Sequence, residues 1–333
     1  MEPIASAAAA PAYARIALDR AGGRREDPTW VAARLAAPDA EFVPLWNGRC
    51  LLDARTGAPL RLRGAAAAAT VAAAGQLVLL GTEGQPRDGE RGDGERKDGD
   101  GSGGEEAEPR GVFAADLSDL GEQEALGLAG AAATADVRDL FARLTAPEAA
   151  LLACARGLLH WHRRQRYCGV CGSATGSAHG GHVRVCGSAD CGVQHFPRIE
   201  PAVIVLVQAP GDPARCLLAR HRGAPENSFS LLAGFAEIGE SLEGAVEREI
   251  FEEAGVPVVP LSYEGSQGWP FPSGLMVGFR ARATSEVIRV DRRELLDARW
   301  FTKDELRDRL AAGHSLGPAD SLGHRMLHDW LYG

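Results

Sequence analysis

Apolar positions fall in short runs separated by glycine, proline and charged residues, and the runs predict two differently built halves. In the first half, Phe42–Trp46, Leu77–Leu80 and Val112–Leu117 read as strands of a small β-rich domain. Asp136–Leu144 and Ala146–His162 carry helical spacing, the second opened by Pro147-Glu148. Beyond residue 200, Pro201–Val207 (PAVIVLV) is a continuous β-branched run, the mark of a strand covered on both faces. Cys216–His221 and Phe229–Leu232 predict two further strands, Gly239–Ala254 a helix and Leu275–Ala283 another strand. Arg292–Asp297 opens a short segment before Trp300-Phe301, and a helix near Leu322–Leu331 closes the chain. The second half is therefore a mixed strand–helix domain and not a βαβ repeat.

Composition changes this picture at one place. From Gly81 to Gly111 the chain runs through TEGQPRDGERGDGERKDGDGSGGEEAEPR, with no aromatic residue and a single alanine as its apolar content. Such a segment cannot bury enough surface to offset its chain entropy, so a disordered surface insertion is expected at about 81–111. The length of 333 residues suits about two domains and a small third module. A net charge of −9 argues against a protein that wraps nucleic acid, yet leaves room for a single-nucleotide site where a cation reverses the local sign. The N-terminus lacks the order of a signal peptide, and the Ala/Val run at 65–80 is broken by Gly75 and Gln76, so core and not membrane is expected there. Seven cysteines, an odd number, sit poorly with a disulfide framework and point to a reducing cytoplasm.

Four of those cysteines are grouped. Cys168-x2-Cys171 and Cys186-x4-Cys191 lie on either side of fourteen residues, with Gly169, Gly172 and Gly187 placed for tight turns. Two such pairs can close a tetrahedral thiolate site, and the pattern resembles a zinc ribbon with a structural Zn²⁺. The second gap is wider than usual, which leaves His179, His182 and His195 as substitute ligands.

The densest chemistry lies at Gly234–Val256. Glu249, Glu252 and Glu253 stand at i, i+3 and i+4, so on a helix they share one face. Unpaired carboxylates so placed repel one another, and a divalent cation that also bridges phosphates resolves the repulsion. Gly234 is expected to provide a tight turn before the helix, Gly255 to end it, and Arg248 to pair with Glu240. A plain acidic surface helix would explain none of these flanking positions. The stretch resembles the Nudix box: Gly, five residues, Glu, seven residues, Arg-Glu-apolar-x-Glu-Glu-x-Gly-apolar. That resemblance implies an α/β/α sandwich with a mixed sheet and metal-dependent hydrolysis of a diphosphate. Glu249, Glu252 and Glu253 would then be Mg²⁺ or Mn²⁺ ligands, with Glu253 also the general base.

A second array narrows the resemblance. Ser266-Gln267-Gly268-Trp269-Pro270-Phe271-Pro272-Ser273-Gly274-Leu275-Met276 is similar to the Ser-Gln-Pro-Trp-Pro-Phe-Pro-x-Ser-Leu-Met array of the NADH pyrophosphatase subgroup, departing at Gly268 and Gly274. That subgroup also carries a four-cysteine ribbon before its Nudix domain. The resemblance implies NAD(H), and by the same chemistry NAD-capped RNA, as substrate. It implies substrate contacts at Phe196, Phe235, Gln267, Trp269, Phe271, Ser273, Met276 and Gly323, and further metal contacts at Glu294 and the carbonyl of Ala233. Adenine would stack between Phe235 and a partner subunit's Phe196, which makes a homodimer the expected active form. The whole is an α+β chain: an N-terminal β-rich domain at 1–163, a ribbon at 164–197 and a Nudix domain at 198–333. Two rival readings share these motifs. One is a Nudix hydrolase of ADP-ribose or another nucleoside diphosphate sugar; the other is a nucleotide-sensing regulator whose ribbon contacts nucleic acid.

Overall fold

The computed structural model describes Tyr13 and residues 15–84 and 108–333, in two compact units. The expected insertion falls largely outside the described residues. Its borders, however, are strand and not loop, because residues 81–83 pair with residues 110–112.

One unit comprises Ile16–Arg198. Its elements are α1 (Pro28–Ala36), β1 (Glu41–Trp46), β2 (Arg49–Asp53), β3 (Leu62–Arg63), α2 (Ala65–Ala73), β4 (Gln76–Glu83), β5 (Arg110–Asp116), α3 (Glu122–Ala129), β6 (Ala131–Ala135), α4 (Val137–Leu140) and α5 (Ala146–Arg164). The strands form one sheet in the order β4-β5-β1-β2-β6, with β3 on β1. At its centre β1 and β5 run parallel, Phe42 opposite Phe113. The run at Ala65–Leu80, expected to be helix or strand, is both, since Ala74 and Gly75 divide α2 from β4. A second, three-stranded sheet follows, of β7 (Thr175–Ala178), β8 (Val183–Cys186) and β9 (Gln194–His195).

The other unit comprises Ile199–Gly333 with Tyr13 and Arg15 from the start of the chain. It contains β10 (Glu200–Ala209), β11 (Asp212–His221), β12 (Leu232–Phe235), α6 (Leu242–Ala254), β13 (Val258–Trp269), β14 (Gly274–Ala283), β15 (Leu295–Thr302), α7 (Lys303–Ala311) and α8 (Leu322–Tyr332). The sheet order is β13-β14-β10-β11-β15, with β12 on β10 and β10 parallel to β14. This repeats the topology of the first sheet strand for strand. In both sheets a helix follows the short strand: α2 after β3, α6 after β12. The helix α2 reads AAAAATVAA, without one carboxylate.

The β-branched run explains why the second sheet is sandwiched. Val203, Val205 and Val207 of β10 point into a core completed by Ala245, Val246 and Ile250 of α6. Their neighbours Ile204 and Leu206 point the other way, against Leu322, Met326, Leu327 and Trp330 of α8. Period-two alternation thus gives each helix its own face of one strand.

Two element boundaries differ from those expected. The strand expected at Phe229–Leu232 lies instead at Leu232–Phe235, because Phe229 and Leu231 are spent on the core beneath α8 while Leu232 onward pairs with β10. The helix expected from Gly239 begins at Leu242. Gly239 takes φ +94°, which no helix accommodates, and the Ser241 hydroxyl accepts the Gly244 N–H as N-cap. In the Trp-Pro-Phe-Pro array, Gln267 and Trp269 end β13, Gly274–Met276 begin β14, and the prolines turn between them.

Candidate metal, diphosphate and ribbon sites

The end of β12 and the buried side of α6 meet where the glutamates were expected, and the structure divides the three by burial. Glu253 is 4% exposed, and its Oε2 has no hydrogen-bond partner among the described residues. Glu249 is largely buried, while Glu252 lies on the open side of the helix, 60% exposed and 3.0 Å from Arg248 Nη1. Glu294 is brought in by its segment, since the Asp291 N–H donates to the carbonyl of Glu253 at 2.9 Å and the Arg289 N–H to that of Ala254 at 2.7 Å. Burial first, then the charges of Glu249 and Glu294, push the Glu253 carboxyl up to about 8. Burial likewise raises Glu249, against the pull of Arg248.

Arg248 orders the turn before the helix. Its Nε donates to Glu240 Oε1 at 2.6 Å, and its Nη2 to Glu240 Oε2 at 2.9 Å and to the Phe235 carbonyl at 2.8 Å. The expected pair is therefore present, and this contact is the main reason Glu240 sits at about 2. Gly255 closes α6 with φ +66° as expected. Gly234 has a different reason from the expected turn. It lies within β12 with no positive φ, and a Cβ there would fall 1.9 Å from the Glu249 carboxyl carbon. The glycine keeps space for that carboxylate. Ala233, beside it, pairs with Ile204.

A divalent cation fits this donor set, because a buried carboxylate oxygen without a partner and three acidic groups in mutual repulsion call for a positive charge.

The array after the box lies against unforeseen neighbours. Trp269 and Phe271 meet edge to face at 5.2 Å, and both meet the ring of Tyr13, at 6.1 and 5.4 Å. Gln267 is 1% exposed; its Nε2 donates to the Asp320 carbonyl and its Oε1 accepts the Leu322 N–H, both at 2.6 Å. Its amide thus ties β13 to the start of α8. Gly323 lies at that start, where a Cβ would meet Ile204 at 2.8 Å. Ser273 Oγ donates to Glu200 at 3.2 Å, and Met276 packs on the core beneath α8. Phe235 is 60% exposed, and Phe196, in the other unit, 61%. A core role for Phe196 is excluded by that exposure. Tyr13 had no sequence signal, because a lone tyrosine in an alanine-rich segment carries no period or spacing.

The four cysteines converge, with all Sγ atoms within 4.8 Å of one another. The Cys168–Cys191 and Cys171–Cys186 sulfurs are 3.8 and 3.3 Å apart. Tetrahedral Zn–S bonds of about 2.3 Å place sulfurs about 3.8 Å apart, whereas a disulfide needs about 2.05 Å. The set fits zinc, and the wider second pair contributes both sulfurs. Among the described residues no histidine joins the group. His182 Nε2 instead bonds the Leu79 carbonyl at 2.8 Å.

Three families match along the chain: an NADH pyrophosphatase-like rudimentary NUDIX domain at 39–161, an NADH pyrophosphatase zinc ribbon domain at 163–196 and a NUDIX domain at 198–318. The chain belongs to the Nudix superfamily, and the repeated sheet topology is that of two Nudix-type domains. Among individual proteins, it is 42% identical over 199 residues to the NAD-capped RNA hydrolase NUDT12 of Macaca fascicularis, covering 57% of this chain and 43% of that one. It is 45% identical over 179 residues to the NAD-capped RNA hydrolase NudC of Mycobacterium tuberculosis, covering 54% and 56%. The chain spans about half the length of the curated relatives it matches. A solved NUDIX hydrolase from Nitrosomonas europaea aligns with a TM-score of 0.38 and 24% identity, covering 50% of this chain and 88% of that one. Among the described residues no helix is long and apolar enough to cross a membrane.

Proposed function

We propose that this protein hydrolyses the diphosphate bond of NAD(H) to AMP and nicotinamide mononucleotide, and that an NAD cap on RNA is cleaved at the same bond. The observation that carries this reading is the buried, unpartnered Glu253 carboxyl beside Glu249 and Glu294. The names of the relatives, both NAD-capped RNA hydrolases, support the choice of substrate.

Glu249, Glu252, Glu253, Glu294 and the Ala233 carbonyl would hold Mg²⁺ or Mn²⁺. Such ions neutralise a diphosphate and acidify a bound water. Glu253 Oε2 receives the proton of the attacking water, and its burial keeps bulk solvent from competing. Arg248, held by Glu240, keeps Glu252 and Glu249 in place, while Gly234 and Gly255 set the ends of the carboxylate face. Trp269 and Phe271 form the wall for the nicotinamide end, with Ser273, Met276 and Gly323 around it and Gln267 holding β13 to α8. Phe235 and Phe196 of the partner subunit would stack on the adenine. The exposure of both rings supports a homodimer, in which they lose contact with water. A structural Zn²⁺ on Cys168, Cys171, Cys186 and Cys191, domains at 1–163, 164–197 and 198–333, and a cytoplasmic location complete the proposal.

Product analysis tests it. Purified protein with NADH, NAD-capped RNA and ADP-ribose should release AMP and the nicotinamide nucleotide from NADH fastest. Glu253→Gln should lower that rate by about 10²–10⁴-fold while binding persists. Faster turnover of ADP-ribose would transfer the function to nucleoside diphosphate sugars, and an unchanged Glu253→Gln rate would remove the base from the scheme.

A further inference from the structure

We infer that Tyr13 is a positioning residue that sets substrate selectivity by holding the Trp269–Phe271 wall in place; the inference rests on the NAD(H) reading above. The segment around Tyr13 is rich in alanine and offers little to bury, yet Tyr13 itself is 6% exposed. Its ring meets both wall rings edge to face, at interplanar angles of 74° and 75°. Edge-to-face contact directs the positive ring edge of one partner at the negative face of another, so each pair restrains the tilt of its members. Its hydroxyl donates to Asp320 Oδ2 at 2.8 Å, and Asp320 is itself buried. The carbonyl of that aspartate accepts the Gln267 amide two residues before Trp269. Tyr13 is therefore tied to the wall twice, through its ring directly and through Asp320 and Gln267 along the backbone of β13.

A wall held in this way matters only to a substrate that has a ring to lay on it. NADH has the nicotinamide; ADP-ribose offers the same adenylate and diphosphate without it. For Tyr13→Ala, KM for NADH should rise about threefold to tenfold, the loss expected for an aromatic pair, with kcat little changed. KM for ADP-ribose should stay within about twofold. Tyr13→Phe, which keeps the ring and loses the Asp320 bond, should restore most of the affinity. An equal loss on both substrates, or none on NADH, would overturn the inference while leaving the NAD(H) reading in place. A wild-type protein that fails to cleave NADH would overturn both.

Discussion

At Gly234 the residue type is dictated by a side chain fifteen positions away. The Glu249 carboxylate occupies the space where any Cβ would stand, so Gly234→Ala should displace it while leaving β12 paired. Hydrolysis should fall at least about tenfold with little change in thermal unfolding, measured by NADH turnover beside a melting curve. Glu253 makes a complementary case. Its buried carboxyl is held up near 8, so replacing it with the neutral Gln removes a group whose ionised form is costly to bury. Glu253→Gln should melt no lower than wild type despite its loss of activity. A marked drop in melting temperature would mean that the carboxyl is there for stability. The i, i+3, i+4 spacing of the glutamates was legible in sequence, but not their division into buried and exposed. That division depends on which side of α6 faces β10, and on the loop that delivers Glu294.

At the scale of elements, local chemistry set most boundaries. The Ser241 cap, the Gly255 terminus and the Thr145–Glu148 capping box of α5 each satisfy backbone groups that a helix end leaves open. Ser241→Ala should cost about 1 kcal/mol of stability in the Nudix unit, read from denaturant unfolding. Strand β13 was not legible, and its burial pattern explains why. Val259, Leu261 and Tyr263 are exposed along it, and register shifts at Pro260/Ser262 and Tyr263/Gly265 keep burial from following the apolar positions. The kinship of the two sheets was hidden for another reason, since α2 keeps the place of α6 while retaining none of its glutamates.

For the molecule as a whole, the ribbon and a buried histidine network give two tests. The β7–β9 sheet is too small to supply a core of its own, so the thiolate site should supply its stability. Chelation should release a single zinc ion per chain and expose the four cysteines to thiol reagents, whereas an unchanged protein without zinc would remove the metal from the fold. Within the same unit, Arg184 Nη1 lies 2.7 Å from His162 Nδ1. A guanidinium can only donate, so Nδ1 must accept, which leaves Nε2 to donate to the Gly181 carbonyl at 2.7 Å. Burial, above all, lowers both His162 and His182 to about 4. An unfolded histidine titrates near 6.5, so between these values the unfolded chain binds more protons than the folded one. This contribution is complete above about pH 6.5 and is lost as the pH falls toward 4. Unfolding midpoints at pH 7 and pH 5 should therefore differ more for wild type than for His162→Gln, which keeps both hydrogen bonds without the titration.

By itself the sequence determined what short-range chemistry can write. The carboxylate spacing, the Arg248–Glu240 pairing, the two cysteine pairs and the doubly covered strand all follow from residue types a few positions apart. Only the tertiary structure decided which carboxylate loses its solvent, why Gly234 must be glycine and what stands behind Trp269 and Phe271. Each of these depends on side chains from segments far apart in the chain, such as Tyr13 against Asp320 or Glu253 near Glu294. Burial and repulsion act through space, and no periodicity along the chain records them.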